Sequence, residues 1–178
     1  MTLSDLADVG ELLGGVAVVV SLVYLALQIR QNTRSVRGST LHQNTDLWSH
    51  LFFRLAEPEI AKAYVAGMSG QPDIKPLHFT QFFFLCRSIF LALENQYYQV
   101  RQGVLDGDAY AGYVRAISSQ LLAFPGLRLW WQQSRSVFSP AFVEHVDAII
   151  AGTPEADPGV LLQEWQRLAE ARANREHG

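Results

Sequence analysis

Arg87, Glu94 and Arg101 recur at every seventh position in the stretch PLHFTQFFFLCRSIFLALENQYYQVR. On a helix this spacing puts them nearly on one face. Tyr97 and Tyr98 follow Glu94 by one turn. A carboxyl group set between two guanidinium groups and two phenols has two readings. In the first, its pKa shifts and it serves as a general acid or base. In the second, the row is a structural ion-pair array that fixes helix register, with tyrosine hydroxyls filling the remaining carboxylate sites. The structural reading is preferred, because ion-pair networks perturb titration without catalysing anything.

His42, Asp46 and His50 are spaced by four, and histidine and carboxylate at that spacing can both reach a metal ion. Three ligands in a straight row do not converge on one ion, so a second helix would have to contribute. Glu144-His145 is the nearest candidate by type. The sequence contains no HExxH and no Glu-x-x-His, so neither a zincin nor a di-iron bundle is indicated, and no metal or cofactor is expected. Cys86 sits in a phenylalanine-rich run, which predicts a buried, inert thiol. As the sole cysteine, it excludes an intrachain disulfide framework and a CxxC zinc site. GxSxG, P-loop and GxGxxG patterns are absent. Trp130 and Trp131 should point to different faces of their helix, so one belongs to the core; the other either touches a partner or a membrane surface or, as is preferred, serves core packing alone.

These residues need elements to hold them, and the most legible element comes first. From Leu12 to Ile29 the chain reads LLGGVAVVVSLVYLALQI without a charge, and Val9 to Glu11 extend the stretch. About 20 apolar residues cross a hydrocarbon core. The preceding segment carries Asp5, Asp8 and Glu11 and no basic residue, unlike a signal peptide. A transmembrane helix is therefore expected. Arg30, Arg34 and Arg37 follow it, so the positive-inside rule puts the N-terminus outside and residues 30–178 in the cytoplasm. The three arginines share a face. They either touch anionic headgroups or simply set topology. Gly10, Gly14, Ala17, Ser21, Tyr24 and Gln28 follow a 4-3-4-3-4 spacing, a seam of small and polar residues suited to helix–helix association.

The rest of the chain has helical period throughout. Leu41, Trp48, Phe52 and Leu55 form a stripe that continues the first helix, for a rod approaching ~75 Å if unbroken at Gly38. Helices are expected over Glu59–Met68, Leu77–Gln102 (stopped by Gly103), from an Asp106 or Asp108 cap to about Phe124, over Leu127–Val137, and from Ser139-Pro140 to Ile150. After a linker over Thr153–Gly159, Leu161, Leu162, Trp165, Leu168 and Ala169 define the face of a last amphipathic helix. The run Phe82–Leu93 is too short and too interrupted by Arg87 for a second span, and reads as a core helix. The class is all-α: an anchor over 1–37, a cytoplasmic helical bundle over 38–152, and a linker with a C-terminal helix over 153–178.

Composition limits the function classes. The chain has 178 residues, 49% of them hydrophobic and 17% charged, which excludes intrinsic disorder. A net charge of -3 argues against a nucleic-acid binder.

The segments VVVSLVYLALQIRQNTRSVR (18–37), ENQYYQVRQGVLD (94–106) and PGLRLWWQQSRSVFSPAFVEHVD (125–147) resemble a widespread group of uncharacterised bacterial proteins. These have one N-terminal transmembrane helix and an all-helical cytoplasmic body. The likeness covers residues 8 to 150. It implies a bacterial inner-membrane protein and carries over no catalytic residue. The expected role is that of a non-enzymatic single-pass membrane protein. It would act as a scaffold, accessory subunit or homo-oligomeric assembly, with the lipid bilayer and either itself or another membrane protein as partners. The alternative is a membrane-tethered enzyme or small-molecule sensor with a pocket near Glu94.

Overall fold

A computed structural model describes the backbone of residues 3–176 and the side chains of residues 11 and 13–175. Among the described residues there are seven α-helices and no strand, so the protein is all-α. The helices are α1 (Leu3–Leu55), α2 (Pro58–Met68), α3 (Pro76–Arg101), α4 (Gly107–Ile117), α5 (Pro125–Ser134), α6 (Pro140–Gly152) and α7 (Val160–Glu176). The chain divides into two compact units, Met1–Gln43 and Asn44–Gly178.

The first unit is the N-terminal part of α1, which runs through Gly38 without interruption. Its described large apolar side chains are exposed, from Leu13 at 63% to Ile29 at 58%. The few polar groups of this stretch are satisfied within the helix. The Ser21 hydroxyl donates to the Ala17 carbonyl, Gln28 Nε2 to Tyr24 Oη, and the Thr33 hydroxyl to the Ile29 carbonyl. Such back-bonding removes the polar demand that a hydrocarbon solvent would penalise. The Gly10, Asp5 and Asp8 side-chain positions lie outside the described residues.

In the second unit, proline sets four helix starts. Pro58, Pro76, Pro125 and Pro140 each occupy the first turn of their helix, where no N–H is needed. The residues before them, Glu57, Lys75, Phe124 and Ser139, are all extended, as a following proline requires. Helix α4 starts instead from Asp106, whose carboxylate accepts the N–H groups of Asp108 and Ala109. Asp106, not Asp108, is therefore the cap. Gly103, at φ 69°, takes the left-handed turn that follows α3. Helix α4 ends earlier than expected, at Ile117, and Ser118–Leu122 widens into a π turn before Pro125.

Helix α3 is the centre of the core. Phe82, Cys86, Ile89, Phe90 and Leu93 are buried along it. Phe90 lies between both tryptophans of α5, with ring centroids 4.9 Å from Trp130 and 4.8 Å from Trp131. Both tryptophans are buried, at 3% and 1% exposure, in line with the preferred reading of core packing. The reason is enclosure. Trp130 also packs on Phe83 of α3, while Trp131 meets Phe142 of α6. The end of α1 is rotated from the expected stripe. Trp48 is buried, but Leu41 and Phe52 are 45% and 58% exposed. Asn44 is buried instead, and its amide donates to Gln99 Oε1 of α3 at 2.8 Å. By length and composition α1 and α3 are both able to cross a membrane. None of the apolar window of α1 is buried, against 33% of that of α3.

Candidate functional site

The expected cluster on α3 is present, but its chemistry differs from an ion-pair row. Ion pairs among the described residues include Arg54–Glu57, Lys62–Glu59, Arg135–Asp147 and Arg167–Glu164. Glu94 belongs to none of them. Its Oε1 receives the backbone N–H of Ser139 at 2.9 Å and the Ser139 hydroxyl at 2.7 Å. The Tyr98 hydroxyl in turn donates to Ser139 Oγ at 2.7 Å. Ser139 is the N-cap residue of α6, yet its side chain makes no cap bond of its own. The negative charge at this helix start thus comes from α3, where it also meets the positive end of the α6 dipole.

The two arginines lie over aromatic rings. The Arg87 guanidinium carbon is 5.0 Å from the centroid of Phe138. That of Arg101 is 5.6 Å from Tyr97 and 5.9 Å from Tyr98. Cation–π contacts of this kind, half-buried at Arg87 and exposed at Arg101, place a charge without a carboxylate partner. The spacing of seven had correctly placed all three residues on one helix. It missed that a residue 45 positions further along the chain would take the carboxylate.

A second polar group surrounds His145 of α6. Its Nε2 lies 2.9 Å from the Tyr110 hydroxyl, and its ring stacks on Tyr97 at 4.8 Å. Burial pushes the Tyr110 pKa up to about 12, so the phenol keeps its proton, and the histidine tautomer sets which partner donates. Burial also lowers the His145 pKa below 6.5.

The third cluster joins α5 to α6. Asp147 accepts from Trp131 Nε1 and from Arg135, both at 2.8 Å. The Arg128 guanidinium donates to the carbonyls of Leu122 and Thr153, holding the end of the π turn to the segment after α6. These contacts fasten the helices around the aromatic core.

The remaining expected residues are apart from these clusters. His50 Nδ1 lies 2.8 Å from the backbone carbonyl of Asp46, one turn earlier on α1. Cys86 is fully buried, and burial raises its thiol pKa, as an inert position requires. Among the described residues no group of three or more His, Cys, Asp or Glu side chains is placed to hold a metal. Arg30, Arg34 and Arg37 follow the apolar stretch of α1, and Gly14, Ala17, Ser21, Tyr24 and Gln28 lie exposed along it. Comparison with protein-family models, curated proteins and solved structures finds no match for this chain.

Proposed function

We propose that this protein is a single-pass bacterial inner-membrane protein whose helical body acts by binding, as a self-associating scaffold, and not by catalysis. The observation that carries the reading is the exposure of α1. From Leu13 to Ile29, large apolar side chains are more than half exposed around the whole helix, and the polar groups among them are internally bonded. About 25 cal/mol is lost for each Å² of apolar surface left in water, so this surface needs a bilayer. Arg30, Arg34 and Arg37 favour a cytoplasmic body. The likeness of residues 18–37, 94–106 and 125–147 to bacterial single-pass proteins supports the same placement.

Binding, as opposed to catalysis, is favoured by how the polar groups are used. Glu94, the strongest acid–base candidate, is committed to Ser139, and both arginines beside it cover aromatic rings. Meanwhile two helix faces are apolar and exposed. On α7 these are Leu161, Leu162, Trp165 and Leu168, each 53% exposed or more. On α3, Leu77, Phe84 and Leu91 are exposed, and the hydroxyls of Thr80 and Ser88 between them fold back onto helix carbonyls. Apolar faces of this kind mark association sites.

Membrane fractionation with reporter fusions tests the placement. The full chain should resist carbonate extraction, and a C-terminal alkaline phosphatase fusion should be inactive. Extraction by carbonate would remove the anchor. High phosphatase activity would reverse the topology.

A further inference from the structure

Helix α3 turns one side to the core and leaves the other uncovered. Leu77, Thr80, Phe84, Ser88 and Leu91 are exposed along that side, the three large side chains at 68%, 63% and 48%. The exposed residues of α3 from Leu77 to Asn95 include no charge. The two hydroxyls are satisfied within the helix. Thr80 Oγ1 donates to the Pro76 carbonyl and Ser88 Oγ to the Phe84 carbonyl, each at 3.0 Å. Back-bonded hydroxyls can be covered without stranding a donor. Phe84 is also braced. Its ring meets that of Phe83 edge-on at 5.6 Å, and Phe83 packs in turn on the buried Trp130.

The order of these side chains is symmetric. From Phe84, steps of four and of seven residues reach a small hydroxyl residue and a leucine in both directions along the chain. Thr80 and Leu77 lie before it, Ser88 and Leu91 after it. A surface that reads the same both ways is self-complementary under a two-fold axis, the commonest symmetry of homo-oligomers. Set antiparallel to itself with Phe84 on the axis, the face puts Leu77 level with Leu91 of the other helix, and Thr80 level with Ser88. The small residues leave room beside the central rings. The apolar face of α7 has no such symmetry, because its large side chains end at Leu168, halfway along that helix. A lipid surface is uniform along its plane and draws nothing from an order of this kind.

We propose that this face is an interface with a second copy of the same chain, in which α3 pairs antiparallel with its counterpart about a two-fold axis at Phe84. The assignment rests on the self-associating scaffold proposed above, and names its surface and its register. Two phenylalanine rings form the centre, in keeping with the enrichment of aromatic residues at interface cores. Three large side chains per copy place the contact at the small end of specific interfaces, under about 1,200 Å² in all. The pairing is therefore reversible. It depends on anchored copies sharing one bilayer, which raises their effective concentration as a tether does.

The test uses the full chain in lipid vesicles, with introduced cysteines cross-linked by copper phenanthroline. The native Cys86 is fully buried and stays silent. Phe84→Cys should cross-link to itself, because the axis brings the two positions together. Leu77→Cys should not. In an antiparallel pair its two copies stand about 21 Å apart, at about 1.5 Å per residue, beyond the ~7 Å limit of a disulfide. A mixture of Leu77→Cys and Leu91→Cys chains should cross-link one to the other. Val65→Cys, exposed on α2 and off this face, reports chance collisions. Phe84→Glu should leave the melting temperature unchanged and weaken association in energy transfer by at least about tenfold, since like charges set together across an interface are strongly penalised. Cross-linking of Leu77→Cys to itself, or of Phe84→Cys no faster than Val65→Cys, overturns the interface even where the wild type associates through another surface. A wild type that is monomeric throughout overturns the scaffold reading as well. In Phe84→Cys, labelling by a lipid-soluble maleimide but not by a water-soluble one puts the face against the bilayer, and overturns the second copy as its occupant.

Discussion

Glu94 and Ser139 are joined by two hydrogen bonds to one oxygen, at 2.9 Å from the Ser139 N–H and 2.7 Å from its hydroxyl. Because Ser139 is the N-cap residue of α6, this pair fixes where α6 begins and how it leans on α3. The carboxylate thus does tertiary work that a local cap would do within one helix. Tyr98 completes the chain by donating to Ser139 Oγ, so α3 holds the junction from two positions.

Replacements at Glu94 should separate acceptor from charge. Glu94→Gln retains an oxygen that accepts the same bonds, and loses only the charge assistance. It should cost about 1 kcal/mol. Glu94→Ala removes the acceptor and strands the Ser139 N–H, for a cost of about 2–3 kcal/mol. Denaturant unfolding of the full chain in mild detergent, followed by tryptophan fluorescence, measures both. Equal losses for the two variants would show that charge, not acceptance, carries the contact.

Glycine positions give the sharpest contrast. Gly126→Ala places a methyl group 1.8 Å from the Gly67 carbonyl oxygen, and a main-chain atom cannot swing aside. The helices α2 and α5 must separate, at a cost of about 3 kcal/mol or more. Gly112→Ala, in the middle of α4, meets only the tip of Arg115 at 3.8 Å. It should stabilise by about 0.5–1 kcal/mol, since alanine loses less backbone entropy in a helix. Thermal melts of the two variants, run side by side, decide whether the α2–α5 contact is as close as stated.

His145 gives the fold a pH dependence with a definite sign. Burial holds its folded pKa below 6.5, so the unfolded chain binds the proton at higher pH than the folded one. The histidine's contribution is fully present above about 6.5. It declines as pH falls below that value and levels off once the folded ring is protonated too. Arg101, over the Tyr97 ring that His145 stacks on, adds a positive charge near this group. In His145→Gln the contribution is absent. The melting-temperature difference between wild type and variant should shrink from pH 7.5 to pH 5. A constant difference would mean that His145 does not titrate between the two states.

Much of this was legible because it is local. Proline at helix starts, the Asp106 cap and Gly103 depend on a few neighbouring residues, and five helix N-termini and one stop follow from them. Periodicity also found the helix through Trp48 but not its rotation. The polar Asn44 is buried because Gln99 of α3 meets it, and nothing near Asn44 in the chain reveals that partner. The same limit hid the use of Glu94. Its partner lies 45 residues away, and Ser139-Pro140 looks complete as a cap on its own. The partner of the Trp131 indole N–H, Asp147 on a different helix, is likewise invisible from its neighbours in the chain.

Helix α7 should be dispensable for folding and needed for association. Residues 160–175 are all exposed, and none belongs to the aromatic core. Leu162→Glu with Trp165→Glu should leave the melting temperature nearly unchanged, within about 0.5 kcal/mol of stability. The same pair should reduce self-association of the body, because it puts charge on the apolar face. A large fall in melting temperature would instead show that α7 packs on the body.

The proposed self-association within a membrane would use the small-residue seam of α1. Gly14 has no atom within 4 Å of its Cβ position, so its face is open to a second helix. Ala17 and Ser21 extend that face, and the Ser21 hydroxyl is already bonded to the Ala17 carbonyl, leaving a smooth surface. Lipid tails are as apolar as leucine, so helices in a bilayer associate by close packing and not by the hydrophobic effect. A bulky residue at the closest approach therefore removes most of the drive. Gly14→Ile should weaken association by about tenfold or more, some 1.4 kcal/mol, whereas Val16→Ile, off the seam, should leave it unchanged. Energy transfer between labelled copies, titrated against lipid, reads the equilibrium directly, and detergent-corrected light scattering gives the mass. Equal weakening by both variants would point to general crowding of the helix surface. A wild type that stays monomeric across the whole titration would reduce the seam to ordinary membrane-helix composition.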